Sequence, residues 1–592
     1  MPAITKVLVA NRGEIAVRVF RTLRELDIAR VAVYSEADRD ALHVALADEA
    51  YLIGPGPAAE SYLRGGRIVE TALRAGADAV HPGYGFLAEN AAFARQVRDA
   101  GLVWIGPPPE AIEAMGSKIA ARERMRAAGV PIIPGATEPA TDVGQVRVTA
   151  EEIGYPVAIK ASAGGGGKGL KIARSEDEIE RAYDSARREG EAYFADATVY
   201  VERYLDDPRH VEVQILADDH GNVVHLGERD CTIQRRHQKL VEETPSPAVD
   251  AKLRERIGEI AVDAARAVGY RSAGTVEGLL ALDGAYYFLE MNTRVQVEHT
   301  VTEVVTGIDI VREQILVAAG RPLTLRQDDI ELRGHAIECR INAEDASRGF
   351  MPSPGPITAY REPAGPGVRV DSGVRTGDVV SDLYDPLIAK LIVHDVDRES
   401  ARRRMLRALE EFVVAGPTTL IGFHRALLES PCFVAGETCS GVVESEDLAH
   451  RIQELDDEFS HVATVAGGSD GVSPGASRER VVAVEIDGRR HEIRIHAPEP
   501  PWAGLARKHK ERSKGLAGVS SGAIVSPMQG AVLDVAVADG DLVEAGDLIC
   551  VVEAMKMENE ITAHANGVVG ELGVVPGQQV VHGQLICVLT DA

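Results

Sequence analysis

The N-terminal part of the chain alternates short apolar runs with segments of helical periodicity. Lys6–Ala10 is an apolar run that predicts a buried strand. Ile15, Val19 and Leu23 then recur at the spacing of an amphipathic helix. Arg30–Asp38 is a second predicted strand, and the alternation continues beyond it. This order of elements predicts a parallel doubly wound sheet over about the first 115 residues, which is the usual size of one domain.

Near the C-terminus the apolar pattern changes to short valine-rich runs separated by glycine, and this pattern occurs twice. Gly530–Val552 and Gly567–Leu589 align without gaps, and both copies carry the sequence LICV. Such runs predict strands and turns. Two copies predict a small all-β unit with internal two-fold symmetry, in which each half completes the core of the other. Lys556 then falls on the exposed turn that joins the halves, where a covalent modification is easily accommodated.

A glycine-rich segment interrupts a pair of predicted strands in the second quarter of the chain. Tyr155–Ser162 predicts a strand that carries Lys160, and Gly164–Gly167 follow it. Consecutive glycines expose backbone N–H groups to phosphate oxygens with no side chain in the way. The segment is not a Walker A loop, because Gly169 follows Lys168 where that loop needs Ser or Thr. It predicts a lid that closes over a nucleotide.

A row of polar residues follows the apolar run Tyr286–Leu289 at every second position. The row consists of Glu290, Asn292, Arg294, Gln296 and Glu298. Period-two spacing puts these residues on one face of a strand or extended loop. A solvated edge strand is the alternative, but the apolar flanks disfavour it, and buried charges need partners. Together with Glu277 in an earlier apolar strand, the carboxylates and the Asn oxygen predict a Mg²⁺ site.

Composition narrows the range of partners and locations. The 592-residue chain is too long for a single core, and its formal net charge of −27 lacks the basic footprint of a nucleic-acid-binding protein. No apolar window is long enough to cross a bilayer, and the N-terminus predicts a strand instead of a signal peptide. The six scattered cysteines include no CxxC pair. They predict reduced structural thiols and a cytoplasmic location.

Several longer motifs occur together, and they resemble those of biotin carboxylase, an ATP-grasp enzyme. The motifs are ANRGEIA (Ala10–Ala16), HPGYGF (His81–Phe86), the GGGGKG segment, RRHQK, EMNTRVQVEH and ECRINAED (Glu338–Asp345). The sequence EAMKM around Lys556 resembles the attachment site of biotin carboxyl carrier domains, a context that lipoyl carriers of similar fold lack. The resemblance covers residues 1 to about 445 and resumes near 520, and the layout is similar to the α subunits of bacterial, actinobacterial-type acetyl- and propionyl-CoA carboxylases.

This resemblance implies a multidomain chain of mixed α/β and α+β class. Residues 1–115 are expected to form the doubly wound N-terminal domain that precedes an ATP-grasp domain, and residues 116–330 the ATP-grasp domain with its glycine-rich lid. Residues 331–445 are expected to form the biotin carboxylase C-terminal domain, which mixes strands with one long helix from roughly Arg398. Residues 446–520 are expected to be a linker with a candidate β docking hairpin, because Arg478–His496 alternates apolar and polar residues around Asp487-Gly488. Residues 521–592 are expected to form a small all-β biotinyl/lipoyl-like carrier domain.

The resemblance also implies a reaction, the ATP-dependent carboxylation of biotin by bicarbonate through carboxyphosphate, and it implies the residues that carry it. The implied ATP contacts are Lys118, Lys160, Gly164, Gly165, Gly166, Gly167, Glu202, Leu205, His210, Gln234 and His237. The implied ligands of Mg²⁺ or Mn²⁺ are Glu277, Glu290 and Asn292. The implied bicarbonate contacts are Lys239, Arg294, Gln296 and Val297. Among the implied catalytic residues, which include Lys239 and Arg294, Glu298 is the general base and Arg340 stabilises the biotin enolate. Lys556 is expected to carry the covalent biotin.

The family pattern further implies partners. Only a linker and a carrier follow the carboxylase, so the carboxyl group of carboxybiotin is expected to pass to acetyl-CoA or propionyl-CoA on a separate carboxyltransferase β subunit. Methylcrotonyl-CoA is the alternative acceptor. A biotin protein ligase and a homo-oligomer within an α/β complex are also expected. No nucleic-acid or membrane partner is expected.

Two other functions compete with this one. Another ATP-grasp ligase, which joins a carboxylate to an amine, would explain the lid and the metal ligands but not RRHQK, ECRINAED or Lys556. A carrier or scaffold with an inactive ATP-grasp region is disfavoured by the intact set of charged residues. Two positions depart from the family pattern: Thr300 replaces the usual proline after QVEH, and SPMQG (Ser526–Gly530) replaces PMPG. Neither change removes a reactive group.

Overall fold

The structure is a computed structural model that describes residues 4–116, 118–136, 139–161, 170–194, 198–236, 238–455, 477–486, 489–498, 522–554, 557–581 and 583–590. Two compact units make up the chain, Met1–Asp456 and Asp457–Ala592. We call them the larger and the smaller unit.

The larger unit opens with a five-stranded sheet. Its strands are β1 (Lys6–Val9), β2 (Ala29–Ser35), β3 (Glu49–Gly54), β4 (Ala79–His81) and β5 (Val103–Trp104), in the order β3-β2-β1-β4-β5. The helices of this region are α1 (Gly13–Glu25), α2 (Leu42–Leu46), α3 (Gly65–Arg74), α4 (Ala91–Asp99) and α5 (Pro109–Gly116). Every pairing between neighbouring strands is parallel, which confirms the predicted doubly wound sheet.

A small antiparallel sheet follows. It contains β6 (Val157–Ala161), β7 (Leu170–Ala173) and β8 (Val199–Arg203) in the order β7-β6-β8, and the helices around it are α6 (Lys118–Ala127), α7 (Val143–Ile153) and α8 (Ile179–Phe194). Val146 of α7 and Ala186 of α8 are fully buried against it. The predicted strand around Lys160 is therefore confirmed as β6, and the glycine run falls between β6 and β7.

An eight-stranded sheet joins the predicted ATP-grasp and C-terminal regions. The strands from this point are β9 (Arg209–Ala217), β10 (Val223–Arg235), β11 (Gln238–Thr244), β12 (Ser272–Leu280), β13 (Tyr286–Asn292), β14 (His335–Asn342), β15 (Glu344–Asp345), β16 (Met351–Pro352), β17 (Gly355–Pro356), β18 (Ala359–Arg361), β19 (Val368–Ser372), β20 (Val379–Val380), β21 (Leu387–Asp395) and β22 (Val413–Ala415). The large sheet has the order β13-β12-β9-β10-β11-β14-β21-β19. Its β11–β14 ladder makes one continuous surface out of residues that lie far apart in sequence.

Helices cover this sheet. They are α9 (Ala251–Ala267), α10 (His299–Thr306), α11 (Ile310–Ala318), α12 (Arg398–Glu411), α13 (Ile421–Glu429) and α14 (Pro431–Ala435). The predicted long helix from Arg398 is confirmed as α12. Residues 446–455, expected to begin the linker, are helical. Leu448, Ile452 and Leu455 of this helix are buried in the same apolar cluster as α12 and α13, because helical spacing gives them one common face.

The cysteines differ from expectation at one pair. Cys432 and Cys439 form a disulfide with their Cα atoms 5.4 Å apart, so the prediction of reduced thiols is wrong for these two. The chain turns back after the short helix α14 and brings them together, which a separation without CxxC spacing did not indicate. The free cysteines Cys231, Cys339 and the repeat-related pair Cys550 and Cys587 are buried, as predicted for structural thiols.

The first described element of the smaller unit is a β-hairpin. Strands β23 (Ser477–Ile486) and β24 (Arg489–Pro498) pair antiparallel, with Ile486 opposite Arg489. This pairing confirms the hairpin that was predicted around Asp487-Gly488, although the turn itself lies outside the described residues.

The two sequence repeats exchange strands. The strands of this region are β25 (Ala523–Val525), β26 (Gly530–Val535), β27 (Leu542–Val543), β28 (Leu548–Ala554), β29 (Met557–Thr562), β30 (Gly567–Gly570), β31 (Gln579–Val580) and β32 (Leu585–Thr590). They form two four-stranded sheets, β25-β32-β30-β27 and β29-β28-β26-β31. Val543 of the first copy pairs with Gly567 of the second, and Val580 of the second pairs with Gly530 of the first. Each copy thus completes the sheet of the other, as predicted.

No helix among the described residues is both long and apolar enough to cross a membrane.

Candidate active site

One face of the eight-stranded sheet collects the predicted metal ligands. Glu277 on β12 lies directly opposite Glu290 on β13, and one step along the ladder Thr275 lies opposite Asn292. Paired positions, and positions two residues apart on one strand, share a face of the sheet. The structure therefore brings Glu277, Glu290 and Asn292 together. On its other side Glu277 lies opposite Glu212 of β9.

Glu277 is surrounded by donors. Its Oε1 accepts hydrogen bonds from Lys239 Nζ at 2.9 Å, Asn292 Nδ2 at 2.7 Å and Gln296 Nε2 at 2.6 Å. Its Oε2 lies 2.9 Å from Nε2 of His210, a predicted nucleotide contact. Burial raises the pKa of Glu277, but the adjacent Lys239 and His210 outweigh burial and hold the pKa well below its usual value. Glu277 is thus ionised, as a carboxylate ligand of Mg²⁺ would need to be.

Glu298 lies between two cations at the start of α10. Its Oε1 accepts a hydrogen bond from Lys239 Nζ at 2.7 Å, and its Oε2 accepts one from Arg340 Nη2 at 2.9 Å. The residue is 2% exposed. Burial raises the pKa of this carboxyl, but the charges of Lys239 and Arg340 outweigh it, so the pKa lies well below its usual value. The predicted base, Lys239 and Arg340 therefore form one hydrogen-bonded group.

Lys239 connects Glu298 to the predicted metal ligand Glu277. Its ammonium donates to Glu212 and Glu277 as well as to Glu298. Burial lowers the pKa of Lys239, but these carboxylates outweigh burial and raise the pKa well above its usual value. Lys239 remains charged, and its three N–H donors are all used.

The loop that follows β13 carries the predicted bicarbonate residues. The strand ends at Asn292, and α10 begins at His299, so the alternating row is a strand only over its first two members. Arg294 donates to Glu89 Oε2 at 3.0 Å and to Asn292 Oδ1 at 2.9 Å. The loop nevertheless directs Gln296 and Glu298 to the same site as the strand residues.

Lys390 fixes the loop at Val297. Its Nζ, fully buried, donates to the backbone oxygen of Val297 at 2.9 Å and lies 3.3 Å from Glu14 Oε2. The same side chain stands opposite Arg340 in the β14–β21 ladder. Lys390, on β21, therefore fixes the peptide group between Val297 and Glu298.

The predicted nucleotide residues near the small sheet form an ion-paired group. Lys160 on β6 pairs with Glu202 on β8, and Arg122 Nη1 donates to Glu202 Oε2 at 2.6 Å. Burial raises the pKa of Glu202, but Lys160 and Arg122 outweigh it and lower the pKa. Leu205 is buried just beyond β8. Gln234, opposite Lys239 in the β10–β11 ladder, donates to the Cys231 backbone oxygen.

A cavity of about 210 Å³ adjoins the predicted metal ligands Glu290 and Asn292. Glu290, Asn292 and Thr293 line one side of it, and Met115 and Gly116 at the end of α5 line another. Lys118 begins the next helix, α6. Its side chain, Gly164–Gly167, His237 and Lys556 lie outside the described residues, so their assignments remain predictions.

The site contains residues that the motifs did not indicate. Arg229 is fully buried and donates to Glu212 at 2.6 Å and to Gln296 at 2.7 Å. Glu212 carried a usable signal, because His210, Glu212 and Gln214 alternate with apolar residues along β9. Glu89 and Lys390 carried none: each meets its partner from another part of the chain, 205 residues away in the case of Glu89 and Arg294.

Family models match most of the chain in order. Residues 3–112 match the biotin carboxylase N-terminal domain, and residues 117–326 match the ATP-binding domain of the carbamoyl-phosphate synthase L chain. Residues 338–445 match the biotin carboxylase C-terminal domain, and residues 522–589 match the model described as biotin-requiring enzyme.

Known proteins resemble the chain over nearly its full length. The biotin-dependent acyl-coenzyme A carboxylase alpha3 subunit of Mycobacterium leprae is 47% identical over 96% of this chain and 95% of the relative. The mitochondrial methylcrotonoyl-CoA carboxylase subunit alpha of Dictyostelium discoideum is 41% identical over 96% of this chain and 93% of the relative.

A solved structure extends the comparison to three dimensions. The biotin carboxylase domain dimer of Hydrogenobacter thermophilus 2-oxoglutarate carboxylase, solved with MgADP, ADP and bicarbonate, has a TM-score of 0.69 and 48% identity, and the match covers 76% of this chain and 99% of that one. Biotin, ATP and Mg²⁺, the predicted cofactors, are thereby confirmed as those of the family. The chain belongs to the biotin-dependent acyl-CoA carboxylase α subunits, in which a biotin carboxylase and a biotin carrier share one polypeptide.

Proposed function

We propose that this biotin carboxylase uses ATP and bicarbonate to carboxylate biotin on its own Lys556, and that a separate carboxyltransferase β subunit then passes the carboxyl group to an acyl-CoA. Acetyl-CoA and propionyl-CoA are the proposed acceptors. Methylcrotonyl-CoA is the second candidate, because an α subunit named for that substrate is 41% identical over 96% of the chain.

The observation that carries the proposal is the placement of Glu298 between Lys239 and Arg340. Bicarbonate must lose its O–H proton before its oxygen can attack the γ-phosphorus of ATP and release ADP. Glu298 is the proposed base, because it is ionised and buried within this site. A carboxylate with a lowered pKa holds a proton only briefly, so it must pass the proton on as the reaction proceeds.

Bicarbonate is proposed to bind at the loop before α10. Arg294 presents a planar set of donors suited to a carboxylate-like anion. Gln296, the Val297 backbone N–H and Lys239 complete the proposed cradle, and the hydrogen bonds that hold Gln296, Lys239 and the Val297 carbonyl in place support the role. Lys239 attracts the anion through its fixed charge, and it must exchange one of its contacts with Glu212, Glu277 or Glu298 in order to donate to bicarbonate.

Arg340 is proposed to stabilise negative charge on the acceptor during carboxylation. When attached, biotin supplies the ring nitrogen that receives the carboxyl group. Arg340 is about one-eighth exposed, with 13% of its side chain accessible, so its guanidinium reaches the site and is also held by Glu242 and Glu298. A guanidinium remains charged throughout and offers several donors.

The face of the sheet that carries Glu277, Glu290 and Asn292 fits Mg²⁺ or Mn²⁺. Glu277 and Glu290 are proposed to hold the ion, with Asn292 beside them, because two carboxylates and an amide on one face are hard oxygen ligands. When bound, the ion neutralises phosphate charge during transfer. The proposed ATP contacts are Lys118, Lys160, Gly164, Gly165, Gly166, Gly167, Glu202, Leu205, His210, Gln234 and His237.

Partners follow from the proposed reaction. A biotin protein ligase is proposed to modify Lys556. The chain is proposed to form a homo-oligomer within an α/β complex, supported by the dimer described for the related carboxylase domain. A cytoplasmic location remains a prediction.

The hairpin β23–β24 is the proposed docking element for the β subunit. Deletion of residues 478–496 should abolish co-purification of the two subunits and leave carboxylation of free biotin intact. Unchanged co-purification would contradict this role.

The reaction itself is tested with purified chain, ATP, bicarbonate and free biotin. We expect ADP release that depends on both bicarbonate and biotin, together with labelled bicarbonate fixed on biotin. A carboxylate–amine ligase would instead need an amine and would not be detected by a streptavidin blot. An inactive scaffold would carry biotin but release no ADP. The β subunit that co-purifies, assayed with each acyl-CoA, identifies the acceptor.

A further inference from the structure

Two glutamates lie side by side behind Arg340. Glu242 on β11 and Glu338 on β14 are direct partners in the antiparallel ladder, and both are fully buried. Side chains at such positions have their Cβ atoms about 4.5–5.5 Å apart. Two negative charges this close, and away from water, repel each other strongly.

Each glutamate has one carboxylate oxygen that accepts a hydrogen bond and one that does not among the described residues. Glu242 Oε1 accepts from Arg340 Nε at 2.7 Å, and Glu338 Oε2 accepts from the Thr300 hydroxyl. Glu242 Oε2 and Glu338 Oε1 are buried and have no hydrogen-bond partner among the described residues. Buried polar atoms are rarely left unpaired, and a proton on one carboxyl would allow these two oxygens to bond to each other.

The surrounding cations do not balance both charges. The charged groups that face the pair are Arg340 on β14, Lys390 on β21, Lys239 on β11 and Glu298 just before α10. Arg340 is already shared with Glu298, Lys390 with Glu14, and Lys239 with three other carboxylates. Negative charge therefore exceeds positive charge around the pair.

We propose that Glu242 and Glu338 share a single proton, and that this proton makes Glu338 a positioning residue for Arg340. With the proton present, one negative charge of the pair lies behind the guanidinium. If the proton is lost, a second negative charge draws the guanidinium towards β11 and away from the acceptor. The consequence for catalysis rests on the proposed role of Arg340, whereas the shared proton itself does not.

The shared proton determines the direction in which carboxylation changes with pH. Burial raises the pKa of both carboxyls above the ordinary glutamate value, although Arg340 near Glu242 and Lys390 near Glu338 oppose the rise. The pair keeps its proton at neutral pH and loses it as the pH rises. Carboxylation should therefore fall on the alkaline side.

Infrared spectroscopy of the full-length chain tests the proton directly, without activity. We expect a carboxylic-acid C=O band near neutral pH that shifts in D₂O and disappears in both Glu338→Gln and Glu242→Gln. Glu344→Gln is the control, because Glu344 is another buried carboxyl, whose pKa burial raises to about 7, and it makes no bond to Arg340 among the described residues. This variant should remove only the band of Glu344 and leave the band of the pair in place. If the first two variants remove no such band, the proposal is wrong.

The pH profile of free-biotin carboxylation tests the positioning role. In Glu338→Gln the amide can donate permanently to Glu242, so activity near neutral pH should persist and the alkaline decline should disappear. Thr300→Val removes a donor that favours the ionised form, so the midpoint of the decline should rise by about half to one pH unit. Glu344→Gln should keep the wild-type profile. An alkaline decline that is identical in wild type and Glu338→Gln would overturn the positioning role even if the infrared band is found.

Discussion

Both units of this chain contain long-range contacts, and in the smaller unit the described contacts recur with the sequence repeat. In the carrier region, the pairing of Val543 with Gly567 recurs as the pairing of Val580 with Gly530. In the carboxylase region, Arg340 meets Glu298 across 42 residues and Arg294 meets Glu89 across 205. A distant pairing that follows a sequence repeat can be predicted from the sequence, whereas a pairing without a repeat is revealed only by the folded structure.

The largest expected effect separates the two regions by function. Lys556→Arg should reduce acyl-CoA carboxylation by the α/β complex to background, because arginine does not replace the lysine that carries biotin. Carboxylation of free biotin should be unchanged, since the larger unit is untouched. The measurements are a streptavidin blot and fixation of labelled bicarbonate. Lys252→Arg, at an exposed position of α9, is the control and should retain both activities. A biotinylated Lys556→Arg chain would contradict the assignment.

A second substitution tests the unique contacts of the carboxylase site. Arg340→Ala should lower free-biotin carboxylation by about 10²–10³-fold, the usual cost of losing one charge-stabilising donor. ATP binding should persist, because the described contacts of Arg340 are to Glu242 and Glu298. Steady-state kinetics with varied ATP and biotin separate the two effects. Arg333→Ala, at a side chain that is 79% exposed, should behave as wild type. Near-normal carboxylation by Arg340→Ala would refute the role.

The next effect concerns stability. Arg229→Met should destabilise the larger unit by roughly 3–5 kcal/mol, because it leaves Glu212 buried beside one cation fewer. Thermal unfolding of the full chain measures this loss. Arg266→Met, at a largely exposed position of α9, should change stability by no more than about 0.5 kcal/mol. Equal melting of the two variants would show that the buried network adds nothing to stability.

The smallest effect tests the symmetry of the carrier. Val543→Ala and Val580→Ala should each destabilise the smaller unit by about 1–3 kcal/mol, because both valines are buried at equivalent positions. Hydrogen exchange in the full chain should report similar losses in both sheets and none in the larger unit. Val575→Ala, at an exposed valine, is the control. Strongly unequal losses would mean that the two halves do not share one core equally.

The sequence predicted helices, strands and hairpins well where a short stretch of sequence carried the pattern. The strand around Lys160, the helix from Arg398 and the β23–β24 hairpin were all predicted from short stretches of sequence. The row from Glu290 to Glu298 was only partly a strand, because β13 ends at Asn292 and a loop carries the rest of the row. Residues 446–455 were expected to be linker, yet their apolar residues form a buried helical face.

By itself the sequence determined the order of domains, the two-fold repeat of the carrier and the family to which the chain belongs. It also predicted Glu277, Glu290, Glu298 and Arg340 as site residues, because alternation and motifs are local patterns. Only the tertiary structure decided which charges meet. The β11–β14 ladder places Glu242 beside Glu338, and the β14–β21 ladder brings Lys390 under Val297. Electrostatic interactions depend on distance in space and on burial, and neither quantity is encoded in the spacing of residues along the chain.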